Sequence, residues 1–322
     1  MFELRDSSES DPHEPPARSR AKEARILLHL LLLPLLLLLP VISTGCVSLR
    51  RHPVAANVVR ARQLSHQGID AMQQGKWEEA EILFAQAIEH CAADERAHHR
   101  YAEALWHRGA WQEAMEHMES AVSLSGEDAA LLVQLGEMYL ARGQFHSAGA
   151  QAERAIQRKR QSAGAWKLRG DVLRRQGDWE EAMLSYHRAL SIEPHQPEAQ
   201  LALSELYLQQ QRPRRALSTL ESLASHSTTG EIPQQVLLMQ GVALKQLERY
   251  QDAAGVLAQA AEQHLTGEVL FQLAEAQWLA GDAASAQVAV QGALQRLPQD
   301  QRAEALLAAI RQRLPLQQAS RR

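Results

Sequence analysis

The sequence is poor in cysteine, in aromatic residues and in net charge, and each shortage excludes a class of protein. Two of the 322 residues are cysteine, so a disulfide framework cannot hold the fold. Aromatic residues make up 5% of the chain and no β-rich segment is found, which argues against a strand-built core. A net charge of −4 and a pI of about 6.4 argue against nucleic-acid binding, which usually needs a basic domain. The abundant Ala and Leu are strong helix formers, so the composition favours an all-α protein.

Motifs that carry catalysis or hold metal are also missing. The sequence has no Gly-rich phosphate loop, no nucleophile elbow and no His-Glu-x-x-His. Cys46 and Cys91 do not form a CxxC or Cys/His spacing. The neighbours His98 and His99 point about 100° apart on a helix, which favours ordinary surface histidines over a metal site. We therefore expect no enzyme, no catalytic residue, no metal and no cofactor.

What the sequence has instead is a period of 34 residues from Ala61 onward. The repeats start at Ala61, Glu95, Ala129, Ala163, Pro197, Gln234 and Gly267, and a three-residue insertion precedes the sixth. Position 20 is Ala in every repeat, and position 8 is always a small residue. Position 15 is Gly in most repeats, which predicts a helix end and a tight turn. Such a period indicates a protein built by stacking repeats.

Position 17 carries an aromatic residue in five of the seven repeats, two residues after the turn. This placement predicts an anchor for the second helix. On that interpretation Trp179 is buried, and Trp179→Ala costs roughly 3 to 5 kcal/mol.

These columns resemble the tetratricopeptide repeat family, whose pattern is W-x₂-L-G-x₂-Y, A-x₃-F and P. The fourth repeat carries the pattern most fully, with Trp166, Gly170, Trp179, Ala182, Tyr186, Ala189 and Pro194. The resemblance implies an all-α, right-handed superhelical solenoid of about seven helix-turn-helix repeats, with a C-terminal capping helix over 301–314. The fifth repeat departs most, because Gln211 replaces the turn glycine and Pro213 replaces the aromatic residue. Its second helix is the least certain, and a hinge or a weaker interface is predicted there.

The amino terminus carries a different signal. Residues 1–25 are polar and contain charges of both signs, so we expect disorder. A Leu-rich run of 17 residues follows over 26–42, at the lower limit for spanning a bilayer. A basic flank, the apolar stretch and small residues after it are typical of a secretory signal.

Cys46 directly follows those small residues, and the arrangement resembles a bacterial lipoprotein signal. That resemblance implies a lipidated Cys46 at the mature amino terminus. Ser43 stands where such signals more often have Leu. The alternatives are an ordinary signal peptide or an uncleaved anchor with an incidental cysteine.

In the family, first-helix positions 2, 5, 9, 12 and 13 line the concave surface, so these columns are where a partner is expected. Position 9 is acidic in five repeats, at Glu103, Glu137, Asp171, Glu205 and Glu275. This pattern predicts a ladder of negative charge along the groove. The alternative is that an acidic residue here is only a good helix former facing solvent.

Two tryptophans, Trp106 and Trp278, occupy position 12, and His99 and Phe271 occupy position 5. Aromatic side chains exposed in a groove are natural anchors for a peptide. The hypothesis is a groove that accepts a segment with basic and apolar side chains. Packing against the next repeat is the alternative explanation.

Together these features predict a non-enzymatic protein-protein interaction scaffold, exported and tethered to the membrane of a bacterial cell envelope. Two alternatives remain: the same repeats on an uncleaved, single-pass anchor that organises a membrane complex, or an accessory or chaperone subunit of an envelope enzyme or secretion machine. The expected divisions are a polar segment at 1–25, a signal at 26–46, a spacer at 47–60, the solenoid at 61–298, the cap at 299–314 and a tail at 315–322.

Overall fold

The computed structural model describes the backbone of residues 53–226 and 231–319, and the side chains of 55–226 and 231–312. The predictions for 1–25, for the signal at 26–46 and for Cys46 lie outside these residues. The chain divides into two units, Met1–Ala56 and Asn57–Arg322, and the repeats belong to the second.

Fifteen α-helices and no strands make up the part of the chain that the structure describes. In order they are α1 (Pro53–Gln73), α2 (Trp77–His90), α3 (Glu95–Arg108), α4 (Trp111–Leu124), α5 (Ala129–Ala141), α6 (Phe145–Arg158), α7 (Ala163–Gln176), α8 (Trp179–Ile192), α9 (Pro197–Gln209), α10 (Pro213–Ser225), α11 (Gln234–Gln246), α12 (Tyr250–Gln263), α13 (Gly267–Leu279), α14 (Ala283–Arg296) and α15 (Gln301–Ala319).

The helices follow the 34-residue register. Each first helix from α3 to α13 begins at the residue where a repeat was predicted to start, and each second helix begins at position 17. The two ends differ from the predicted divisions: α1 already begins at Pro53, within the expected spacer, and α15 continues to Ala319, beyond the expected cap. The prediction of an all-α solenoid of helix pairs is confirmed.

The position 15 turn has one geometry in all seven repeats. Its residue always has a positive φ, between 56° and 90°, whether it is glycine or not. The amide one residue later donates to a carbonyl five residues back, as Asp178 N–H does to Leu173 at 2.9 Å. This is the pattern of a Schellman cap, in which a left-handed residue ends the helix.

The fifth repeat keeps this turn although it lacks the glycine. Gln211 takes φ 56°, and the Arg212 amide donates to Tyr207 at 2.8 Å. The second helix, α10, begins at Pro213, because proline is well tolerated at the first helical position. The turn and α10 therefore have the same form as in the other repeats.

Small residues form the seam between the paired helices. The position 20 alanines, from Ala80 to Ala286, are all fully buried. Opposite them, the position 8 glycines Gly68, Gly170 and Gly241 meet a large side chain of the second helix: a Cβ added at Gly170 would lie 2.7 Å from the Tyr186 ring. The two backbones approach closely because neither column has a bulky side chain.

The tryptophans at position 17 of the second and fourth repeats are more exposed than predicted. Trp179 is 43% exposed and Trp111 is 37% exposed, so neither is a buried anchor. The Trp179 indole lies near the turn, with its Nε1 3.8 Å from where a Cβ on Gly177 would be. Because position 17 is the first residue of the second helix, its side chain lies over the turn and not in the seam. The cost of Trp179→Ala therefore falls below the roughly 3 to 5 kcal/mol expected for a buried aromatic residue.

Candidate functional site

The predicted groove residues of the second and third repeats meet around one cavity, which we call the Trp106 cavity. Its volume is about 440 Å³. Its lining includes position 12 residues of α1 and α3 and position 9 residues of α3 and α5, together with apolar neighbours: Met72, Trp77, Glu103, Trp106, His107, Met118, Gln134, Glu137, Met138 and Ala141. The structure thus brings Glu103, Trp106 and Glu137 to a single site.

Aromatic contacts hold one side of this cavity in place. Trp106 is partly buried and meets Trp111 edge to face, with ring centroids 4.7 Å apart. Trp77 stacks on His107 at 3.9 Å with an interplanar angle of 11°. These contacts restrict the rings before any partner arrives, which lowers the entropy cost of binding against them.

Glu103 is the more firmly held of the two carboxylates. It accepts a hydrogen bond from Arg100 at 2.7 Å, and its Oε1 lies 3.2 Å from His99 Nε2. Burial raises the pKa of the Glu103 carboxyl, but the bonds from His99 and Arg100 together outweigh burial and hold that pKa below its usual range. Glu103 is therefore a carboxylate at neutral pH.

Glu137 is more accessible and shares its cation. Lys167 Nζ lies 3.4 Å from Glu137 and 3.1 Å from Asp171, while the Glu137 side chain remains 46% exposed. Burial lowers the pKa of the Lys167 ammonium, but the two carboxylates outweigh burial and raise it. The single ammonium group of Lys167 lies beside two carboxylates, so this site keeps an excess of negative charge.

Asp171 is used inside the solenoid. Its second oxygen accepts a hydrogen bond from the Tyr186 hydroxyl at 2.7 Å, and the Tyr186 side chain is fully buried. Burial and the neighbouring Asp171 raise the pKa of the Tyr186 phenol, so it stays a donor. This predicted groove residue therefore has a structural partner.

The two remaining acids also have cations beside them, from position 12 of the preceding repeat. Arg174 lies 3.1 Å from Glu205, and Lys245 forms an ion pair with Glu275. The predicted ladder of negative charge is therefore largely neutralised by cations whose pairing with these acids the sequence did not show. The signal was present in the same columns, because Lys167 stands at position 5 and Arg174 and Lys245 at position 12.

The C-terminal aromatic residues differ from the exposed anchors that the sequence predicted. Phe271 is only 6% exposed, and the Arg302 guanidinium of the capping helix lies over its ring, 4.6 Å from the centroid. Trp278 is partly buried and packs against the core of the C-terminal repeats. Phe271 and Trp278 thus serve packing here, whereas Trp106 lines a cavity.

A larger cavity adjoins the first one, and we call it the Arg96 cavity. It has a volume of about 1070 Å³ and lies between α1, α3 and the segment that joins α2 to α3. Basic residues of the first two repeats line it, including Arg62, Arg96 and Arg100, together with Ser65, His66 and Cys91. Sequence reasoning did not identify this site, because only the first two repeats have arginine at position 2.

The histidine pair of the sequence has two separate roles. His98 is buried and its Nδ1 lies 3.0 Å from His117 Nδ1, whereas His99 faces Glu103. Across the described part of the chain, no group of three or more His, Cys, Asp or Glu side chains is arranged to hold a metal ion. Within the same residues no helix is both long enough and apolar enough to cross a membrane.

Comparisons with known proteins agree with this architecture. One model of the family described as Tetratricopeptide repeat matches residues 66–129, 133–197 and 238–301, and another with the same description matches 173–229. No curated protein sequence matches the chain.

Among solved structures, the chain is similar to PilF of Pseudomonas aeruginosa at 17% identity and a TM-score of 0.58, over 65% of this chain and 94% of that one. It is similar to PilW, a type IV pilus biogenesis factor, at 18% identity and a TM-score of 0.56, over 63% of this chain and 92% of that one. It is also similar to YrrB, a TPR protein with an unusual peptide-binding site, at 16% identity and a TM-score of 0.52, over 58% of this chain and 96% of that one. At these identities the likeness supports the fold alone. Because the first family model alone matches more than half of its residues, the chain belongs to the tetratricopeptide repeat family.

Proposed function

We propose that this protein is a non-enzymatic scaffold that binds a segment of a partner protein at the Trp106 cavity and is tethered to a bacterial membrane through its amino terminus. The observation that carries the binding part is the cavity itself, where Trp106, Glu103 and Glu137 line one space. The fold favours this proposal, because solenoids of this kind present extended surfaces to other proteins.

The chemistry of the Trp106 cavity suits a segment with an apolar and a basic side chain. Met72, Met138 and Trp106 offer polarizable apolar surface, which adapts to ligands of different shape. Glu137 is 46% exposed and shares Lys167 with Asp171, so it can accept a further cation. Aromatic residues in a desolvated pocket are common binding hot spots, and Trp106 is the candidate here.

The C-terminal half of the groove is less suited to this role. Glu205 and Glu275 already have a cation from the preceding repeat. Phe271 is covered by Arg302 of the capping helix. A partner would have to displace these contacts, so we place the binding site in the first three repeats.

Site-specific crosslinking in cells tests the location. A photoreactive amino acid at Ala141, an exposed residue that lines the cavity, should capture one partner. The same amino acid at Val288, which is 72% exposed on α14, is the matched control and should not capture it. Adding Trp106→Ala should abolish the capture at Ala141. Equal capture at both positions, or capture that survives Trp106→Ala, would contradict the proposal.

The membrane tether rests on the sequence of the amino terminus, and Cys46 is its testable residue. We propose that Cys46 is lipidated and becomes the first residue of the mature chain. Mass spectrometry of protein extracted from membranes should find a chain that begins with a diacylglyceryl-modified Cys46. An unmodified chain that retains residues 26–45 would instead establish the uncleaved anchor.

A further inference from the structure

Arginine side chains that form no ion pair among the described residues line the Arg96 cavity. Arg62 and Arg96 line it, and both side chains are exposed. Among the residues described, neither arginine has a carboxylate within ion-pair distance. Arg100 differs, because it already pairs with Glu103 at 2.7 Å. Among the described residues, two guanidinium groups of this lining thus form no ion pair.

Two acids, Asp94 and Glu95, lie in the same lining. The Asp94 side chain caps α3 and accepts from the amides of Arg96 and Ala97 at 3.1 and 3.2 Å. Glu95 also lines the cavity, so the lining has two acids, and among the described residues neither forms an ion pair with Arg62 or Arg96. The two guanidinium groups can therefore bind the carboxylate of a ligand directly.

A buried hydroxyl in the same wall supports a polar ligand. Ser65 is 9% exposed, and its Oγ has no hydrogen-bond partner among the described residues. Buried polar groups in proteins are nearly always paired, so an unpaired hydroxyl in a cavity wall points to a missing partner. An oxygen-rich anionic side chain would accept a hydrogen bond from this hydroxyl.

Helix α3 lines both cavities, and the chemistry of its lining residues changes along the helix. Arg96, His99 and Arg100 line the Arg96 cavity, whereas Glu103 and Trp106 line the Trp106 cavity. The contact between His99 and Glu103 at 3.2 Å joins them. A single segment that crosses this contact would meet positive charge at one end and an apolar pocket with negative charge at the other.

From this arrangement we infer that the partner segment is bipartite, with an acidic side chain for the Arg96 cavity and a large apolar side chain for the Trp106 cavity. This inference rests on the proposed function and adds the partner's motif. Arg96 and Trp106 are ten residues apart on α3, or about 15 Å at 1.5 Å per residue. An extended chain advances about 3.3 Å per residue, so the two side chains lie about four or five positions apart.

Peptide selection on the full-length protein, purified in detergent, tests this spacing. A random library of displayed dodecapeptides should yield binders with Asp or Glu four or five positions from Leu, Phe, Met or Trp. Fluorescence anisotropy then measures the affinity of a selected peptide. Replacing its acidic residue with Asn should weaken binding about tenfold in low salt, and raised salt should reduce this difference.

Charge-reversal variants show whether the acidic residue meets the two arginines. The double variant Arg62→Glu with Arg96→Glu should bind the acidic peptide at least tenfold more weakly than the wild type does. Its affinity for the Asn peptide should be nearly unchanged. The control, Arg188→Glu with Arg214→Glu, makes the same change of charge at exposed positions outside both cavities and should bind like the wild type. Equal binding of both peptides by the Arg62/Arg96 variant and the wild type would overturn the inference.

Two further results separate this inference from the proposed function. Peptides that lose affinity with Trp106→Ala but not with the Arg62/Arg96 variant would overturn the bipartite motif and leave the Trp106 site standing. Peptides that bind Trp106→Ala with wild-type affinity would overturn the proposed function itself. Vesicles of phosphatidylcholine with phosphatidylglycerol test the other anionic ligand: binding that depends on Arg62 and Arg96, with no acidic peptide selected, would assign the cavity to lipid and contradict the inference.

Discussion

At the scale of single residues, the tightest constraint lies where position 8 of a first helix meets the second helix of the same repeat. Gly170 faces the Tyr186 ring, which is fully buried and held by its hydrogen bond to Asp171. The ring cannot move aside without losing that bond. A single methyl group added at position 8 should therefore destabilise the whole repeat.

Gly170→Ala should lower the free energy of unfolding by about 1 to 3 kcal/mol, the usual cost of overpacking a filled core. Gly255→Ala is the matched control, because Gly255 lies in α12 and a Cβ there would have no atom within 4 Å. That control should stabilise the protein by about 0.5 to 1 kcal/mol, since alanine favours the helix over glycine. Urea unfolding followed by circular dichroism measures both. A neutral Gly170→Ala would show that the helices are not packed as described.

A second residue-scale feature is the buried histidine pair of the second repeat. His98 Nε2 lies 3.2 Å from the Ala92 carbonyl, so it must carry a proton and donate. His98 Nδ1 lies 3.0 Å from His117 Nδ1, so one of these two nitrogens donates and the other accepts. Burial and the neighbouring His98 lower the pKa of His117 below its ordinary value of 6.5. The folded protein therefore keeps His117 neutral to a lower pH than the unfolded chain does.

This pair predicts a loss of stability in mild acid. The unfolded chain takes up a proton on His117 below about pH 6.5, whereas the folded protein resists it, so stability falls as the pH drops from 7.5 to 5.5. The nearby Glu113 and Glu116 oppose this shift only in part. In His117→Asn, whose amide can still donate to His98, the fall in melting temperature over this range should be smaller. His146 is exposed, so the melting temperature of His146→Asn should fall with pH as that of the wild type does. Equal falls in melting temperature for all three proteins would show that His117 does not cause the loss of stability.

At the scale of the elements, the helix ends were predictable from the sequence and the placement of side chains around the turns was not. Glycine, small residues and alanine recur at fixed positions, and the starts of α3 to α13 follow from them. The fifth repeat keeps its turn without glycine because its hydrogen bonds and the packing of α9 and α10 hold Gln211 in a left-handed conformation. The exposure of Trp179 did not follow from residue spacing, because the side chain of this first helical residue lies over the turn and not in the seam between the helices.

The turn of the fifth repeat gives a prediction with a neighbouring control. Gln211→Gly should stabilise the protein by about 0.5 to 1 kcal/mol, because φ 56° costs a side chain more than it costs glycine. Gln210→Gly removes the same side chain one residue earlier, where φ is −84°, and should destabilise by about 1 kcal/mol. Thermal unfolding of the two variants measures the difference. If both variants lose stability equally, the left-handed turn at Gln211 is not strained.

At the scale of the whole molecule, the repeats share one architecture while their groove faces differ. The Trp106 cavity lies among α1, α3 and α5, whereas charge pairs and the capping helix cover the corresponding residues near α13. The assignment of columns to the groove comes from the family resemblance and stays a prediction. The sequence could not show which acids are neutralised, because the ion pairs of Glu137, Glu205 and Glu275 join neighbouring repeats through the stacking geometry.

If a partner binds at the Trp106 cavity, its affinity depends on the Trp106 side chain. The dissociation constant of the crosslinked partner, or of a selected peptide, is measured by fluorescence anisotropy with the wild type, with Trp106→Ala and with Trp179→Ala. Trp179 is 43% exposed and lies outside both cavities, so its variant controls for loss of an indole. We expect a loss of at least tenfold for Trp106→Ala, about 1.4 kcal/mol or more, and wild-type affinity for Trp179→Ala. Wild-type affinity for a folded Trp106→Ala variant would show that the partner does not bind at this cavity.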